Sequence, residues 1–119
     1  MSIKQTESQA LTLLREYRLA TWRKSALGAI PSASHNIMQS CAEQLLFTEK
    51  IVNRLRCNKL LGEKLYWIVY ASYMTEQQPD SVDEILSEIA RKYKAIPRRT
   101  YFRLKIRAVK MLDDLLKLN

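Results

Sequence analysis

Pro97 constrains this chain more than any other residue. It stands between two stretches whose apolar side chains recur at helical spacing. It fits neither helix interior, because its ring removes an amide, and it disfavours helical backbone at Ile96 before it. In the first turn of a helix the missing amide costs nothing. The chain must therefore break between Tyr93 and Pro97 and resume as helix from about Pro97. A break of about three to four residues between two helices is the spacing of a helix-turn-helix. Ile96 then plugs the turn as an apolar side chain between the two helices.

The segment before the break carries Val82, Ile85, Leu86, Ile89, Ala90 and Tyr93 at helical spacing, and it opens on Ser81-Val82-Asp83-Glu84. That is a capping box: the Ser81 oxygen can accept from the Glu84 amide, and the Glu84 carboxylate can reach back to the Ser81 amide. Asp83 and Glu84 also suit the positive end of the helix dipole. The segment after the break predicts a long helix from about Pro97 to Leu118. With successive residues about 100° apart, Tyr101, Leu104, Ala108, Met111, Leu112, Leu115 and Leu118 fall in one arc, which should face a core. Arg99, Arg103, Arg107 and Lys110 fall in roughly the opposite arc. A third arc holds Phe102, Ile106, Val109 and Leu116; packing against the N-terminal helices is the expected use, and a self-association surface is the alternative.

Charge is concentrated in this region. Residues 91–110 hold nine basic side chains and no Asp or Glu, whereas residues 1–90 hold ten of each sign and are neutral. One short stretch thus makes the whole chain basic, with a formal charge of +8, and a polyanion is the natural partner. In a helix-turn-helix the second helix enters the major groove and reads bases near its N-terminal end. Arg98, Arg99, Thr100, Phe102 and Arg103 are placed to reach base edges, and arginine is the side chain best suited to paired hydrogen bonds with guanine. Arg107 and Lys110 continue the same outer face. Arg91, Lys92 and Lys94 precede the turn and suit phosphates, which fix register without reading sequence.

The rest of the chain also reads as helix. Two glycines and three prolines in 119 residues are too few for a turn-rich sandwich or barrel. Residues 3–27 show helical spacing through Ile3, Ala10, Leu11, Leu14 and Tyr17, with Leu13 and Trp22 widening the apolar side. Gly28 to Ser34 is a loop, and Ser34 or Asn36 can cap a second helix running to about Arg56. Its inner stripe is Ile37, Cys41, Leu45, Thr48, Val52 and Leu55. Asn58 is a candidate cap for a third helix over about 59–74, apolar nearly all round from Leu65 to Ala71 and so expected at the centre of packing; a buried strand is the rival for that run. Residues 75–80 form a second loop. The expected fold is all-α: a helical hairpin in residues 1–58, then a helix-turn-helix region in 59–119, within one compact unit.

Other function classes find little purchase. Cys41, Cys57 and His35 form no metal-type cluster, so no metal or other cofactor is expected, and the cysteines read as reduced core residues. There is no glycine-rich phosphate loop and no nucleophile, base and orienter set, and Ser34 and His35 are helix neighbours that point apart. The chain is not expected to be an enzyme. Its first residues are too polar for a signal peptide, and no apolar run approaches the roughly 20 residues that span a bilayer; a cytoplasmic protein without a membrane partner is expected.

With these residues in view, the chain resembles the ArpU-type phage regulators and their RinA-like relatives, whose C-terminal helix-turn-helix is similar to region four of bacterial sigma factors. The resemblance rests on Glu84-Ile85-Leu86-Ser87-Glu88-Ile89-Ala90 and on Arg99-Thr100-Tyr101-Phe102-Arg103-Leu104-Lys105 with Ala108. The second stretch looks like the family's recognition helix, and Leu65 to Tyr73 looks like the helix before the motif. Specific similarity covers about residues 60–116. One position departs: Pro97 stands where such families carry Ser or Thr, leaving the helix start without a side-chain cap. The resemblance implies control of late phage or prophage genes by binding double-stranded DNA at a promoter, or by an antitermination-like action. Two rivals stay open: a ring-forming packaging adaptor like a small terminase subunit, and a protein that docks on RNA polymerase and barely touches DNA. A homodimer on a paired site is open as well.

Overall fold

A computed structural model describes residues 8–28 and 35–118. Among them every regular element is helical: α1 (Gln9–Gly28), α2 (His35–Asn53), α3 (Gly62–Val69), α4 (Val82–Lys92) and α5 (Arg98–Lys117). A 3-10 turn (Arg54–Cys57) extends α2, and a π-helical stretch (Tyr70–Met74) extends α3. The run from Leu65 to Ala71 is therefore helix, not strand. The expected loop from Ala29 to Ser34, with its cap at Ser34, and the start of the first helix at Ile3 lie outside the described residues.

α1 and α2 pack along one another, and α5 lies across both of them and across α3. α3 is the shared support: α4 and α5 each rest on it, α4 also on its π-helical continuation. This is the role expected of a helix apolar nearly all round, and Leu65, Ile68, Val69 and Ala71 are all buried. Leu14 of α1, Ile51, Val52 and Leu55 of α2 and its extension, Ile89 of α4 and Tyr101, Leu104, Ala108 and Leu112 of α5 complete one continuous core. The inner stripe of α2 is observed at Cys41, Thr48, Val52 and Leu55, with Ile51 added; buried Thr48 satisfies its hydroxyl by donating to the Gln44 carbonyl at 3.0 Å. Cys41 and Cys57 are free thiols, the first buried and the second exposed.

Periodicity and structure part at several apolar residues. Trp22 is 68% exposed and Ile37 half exposed, both outside the buried core. Leu118, assigned to the inward arc of α5, is 82% exposed and stands just past the last helical residue.

Local chemistry explains the starts and stops. Asn58 acts as expected: its side-chain oxygen accepts the amides of Leu60 and Leu61 at 3.1 and 2.9 Å, and its carbonyl accepts that of Gly62 at 2.9 Å, which turns the chain into α3. Arg56 holds the same corner from outside, its Nε 2.8 Å from Glu63 and its guanidinium 3.7 Å above the Tyr66 ring. Ser81 caps α4 by accepting the Glu84 amide at 3.3 Å. The return half of the box differs by one residue: the Glu84 carboxylate takes the amide of Asp80 at 2.8 Å, not that of Ser81.

Candidate nucleic-acid interface

α4 ends at Lys92, Tyr93 leaves helical geometry, and residues 94–97 run without helix until α5 begins at Arg98. Pro97 is thus the residue before the helix, with extended backbone (φ −64°, ψ 150°) and no side-chain cap, and its carbonyl accepts the Tyr101 amide at 2.9 Å. Ile96 is half-buried against the core, as are Tyr93 and Val82, so the connection is held down from both sides.

Burial fixes the rotation of α5. Tyr101 is fully enclosed and its hydroxyl lies 2.8 Å from that of Ser72 in the π-helical stretch; Leu104, Ala108 and Leu112 follow on the same side. The opposite side consequently faces solvent, and Arg99, Arg103, Arg107 and Lys110 are all exposed there. None of these four has an acidic partner among the described residues. Four cations on successive turns of one helix face, without ion-pair partners among the described residues, create a positive potential that attracts an anion.

The other candidate residues divide. Arg98 is engaged: its guanidinium meets Asp83 at 2.8 Å, at the start of α4, and stands 5.9 Å from the Phe102 ring centre. Arg91 pairs with Glu88 one turn earlier in α4 at 2.5 Å. Lys92 is exposed, and Lys94 is exposed with its ammonium 5.3 Å from the neighbouring Tyr93 ring. Thr100 is half-buried. Phe102 stays 44% exposed, with its ring edge-on to Tyr101 at 5.2 Å. Lys105 belongs to the basic run but not to the outer face. It is half-buried, with its ammonium 5.3 Å from the Tyr73 ring and 5.7 Å from that of Tyr101.

Two features had no sequence signal. The Asp83–Arg98 pair joins residues fifteen apart across the turn and makes one of the two arginines at the head of α5 less available. Ile106, assigned with Val109 and Leu116 to an arc expected to pack inward, is 71% exposed among the arginines, whereas Val109 and Leu116 do rest on the core.

Elsewhere a cleft of about 440 Å³ opens between α1 and the π-helical stretch, walled by Leu11, Leu14, Leu19 and Tyr73. Arg18 borders it and donates to the Thr75 carbonyl at 2.6 Å; burial lowers its pKa from the ordinary guanidinium value. No cluster of three or more His, Cys, Asp or Glu side chains able to hold a metal occurs among the described residues, nor is any described helix long and apolar enough to cross a membrane. Comparison of the chain with protein-family models, curated proteins and solved structures returns no match.

Proposed function

We propose that this protein is a sequence-specific DNA-binding transcriptional regulator of phage or prophage type. In this reading α4, the 94–97 connection and α5 work as a helix-turn-helix, and α1 with α2 forms a hairpin that braces it. α5 lies in the major groove with Arg99 and Arg103 at base edges, and Lys92 and Lys94 rest on phosphates before it. The observation that carries the reading is the uncompensated row Arg99, Arg103, Arg107 and Lys110 on the solvent side of a helix whose other side is locked by Tyr101, Leu104 and Ala108. Arg91 and Arg98, by contrast, each meet an acidic neighbour. The prophage context rests on the resemblance carried by Glu84–Ala90 and by Arg99–Lys105 with Ala108; a cytoplasmic location and a non-catalytic role belong to the same proposal, and a homodimer or a polymerase contact is compatible with it.

The test is selection of bound duplexes from a random DNA pool at several salt concentrations. A regulator of this kind enriches a defined motif and binds it with an affinity that falls steeply with salt. Equal retention of all sequences would reduce the role to charge alone. Binding that survives loss of Arg99 and Arg103 would point to a protein partner instead, and a ring-sized mass in solution to a packaging adaptor.

A further inference from the structure

We propose that Ile106, with Phe102 one turn before it, reads the 5-methyl groups of thymine, so that the DNA site contains T·A pairs beside the guanines chosen by the arginines. The inference rests on α5 occupying the major groove and goes beyond it by naming what lies in that groove.

Ile106 is exposed at the centre of the outer face, not at its edge. At about 100° per residue it projects within roughly 20° of Arg99 and 40° of Lys110. Arg99, Phe102, Arg103 and Ile106 share the i, i+3, i+4, i+7 spacing of a single stripe. At 71% open to water, Ile106 buries little of its surface against the described residues. Phe102 is 44% exposed, its ring edge-on to Tyr101 at 5.2 Å and 5.9 Å from the Arg98 guanidinium, which pairs with Asp83. Both apolar groups are therefore presented to solvent from the outer face of α5.

The surrounding charge selects the occupant. A second copy of the chain docked by a two-fold axis would set the same patch against itself, bringing the row Arg99, Arg103 and Arg107 of one copy against the same row of the other. A surface that is strongly negative at its rims and apolar at points between them suits this stripe. The major groove is such a surface, because phosphates line its edges and the thymine methyl is the apolar group on its floor. β-branched Ile106 is stiff at its first side-chain torsion, so its position against a methyl is well defined.

The experiment uses the full chain and the duplex obtained by selection. Each thymine is replaced in turn by deoxyuridine, which lacks only the methyl, and affinity is measured for the parent, Ile106→Ala and Phe102→Ala, with mass in solution and thermal melting recorded for each. Ile106→Ala, at a side chain 71% exposed, should melt close to the parent, whereas Phe102→Ala gives up the edge contact with Tyr101 and should melt somewhat lower, so its affinities are compared at a temperature where both variants are folded. One or more thymines should prove sensitive, the loss being about fourfold for a buried methyl. That loss should disappear at one position in Ile106→Ala and at a neighbouring one in Phe102→Ala. Uracil that costs nothing at any position, or costs parent and variants alike, overturns the proposal. So does a change of oligomeric state in Ile106→Ala with uracil sensitivity intact, which would assign the stripe to a second copy. If selection yields no motif at all, the DNA reading itself fails, and this inference with it.

Discussion

The carboxylate of Asp113, near the end of α5, accepts the backbone amide of Ala10, at the start of α1, at 2.8 Å. The same carboxylate accepts the Ser8 hydroxyl at 3.0 Å, while the Ser8 oxygen accepts the Leu11 amide at 3.2 Å. The free amides of the first turn of α1 are thus satisfied once locally and once from a residue 103 positions away. A negative charge at that end of a helix is also favoured by its dipole. The contact fixes the far half of α5 against α1 and so contributes to the angle at which the near half presents its arginines. Asp113→Ala should lower stability by about 1–3 kcal/mol, the range for hydrogen bonds to a charged group. Asp113→Asn, which keeps an acceptor oxygen, should lose less in urea unfolding. Equal losses would make charge, not hydrogen bonding, the source.

Much of this architecture was legible because it is local. Helical periodicity placed Tyr101, Leu104, Ala108 and Leu112 on one side of α5, and it left the arginines no side but the other. Pro97 located the break because a ring on nitrogen has the same consequence in any fold. What was not legible depends on residues distant in sequence. Periodicity gives the direction in which a side chain points, but not whether a neighbour extends far enough to cover it, so Trp22, Ile106 and Leu118 were placed on packed faces they do not have. The Asp83–Arg98 and Asp113–Ala10 contacts depend on how helices cross, and no spacing rule encodes that.

Gly62 opens α3 where the chain passes close to the preceding 3-10 turn. A Cβ built there would stand 2.8 Å from the carbonyl oxygens of both Leu55 and Arg56, which are backbone atoms that cannot swing aside. Gly62→Ala should therefore destabilise by about 1–3 kcal/mol, the usual range for overpacking, despite alanine's better helix propensity. Gly28, whose added Cβ would meet nothing within 4 Å among the described residues, is the control. Its replacement by alanine should leave the denaturation midpoint unchanged or slightly higher. If the two substitutions behave alike, the corner between the 3-10 turn and α3 is looser than described.

Tyr17 makes stability depend on alkaline pH. Its phenol is pushed up from 10.0 to about 12, first by burial and then by the neighbouring Glu49 carboxylate, to which it donates at 3.1 Å. Between those two pH values the folded chain keeps a proton that the unfolded chain releases. Its contribution is complete below about pH 10 and is lost as pH rises through about 12. Burial raises Tyr66 too, which adds in the same direction. Compared at pH 9 and pH 11.5, the stability difference between the parent and Tyr17→Phe should shift against the parent. Parallel pH curves for the two proteins would mean that this phenol titrates as if it were free.

The division of labour along the basic segment can be measured residue by residue. Arg99→Ala and Arg103→Ala should each cost about 1–3 kcal/mol on the selected duplex and relax the choice of base at one position, with little effect on random DNA. Lys92→Ala and Lys94→Ala should weaken binding to every sequence and lower the slope of log affinity against log salt by about one unit each. Arg98 is the informative intermediate. Its pairing with Asp83 offsets a cation at the surface, so Asp83→Asn should free that charge and raise the slope by up to about one unit. That gain should vanish when Arg98→Ala is added. Should Asp83→Asn leave the slope untouched while Arg98→Ala lowers it, Arg98 would already be meeting phosphate in the complex, and the ion pair would belong only to the free protein.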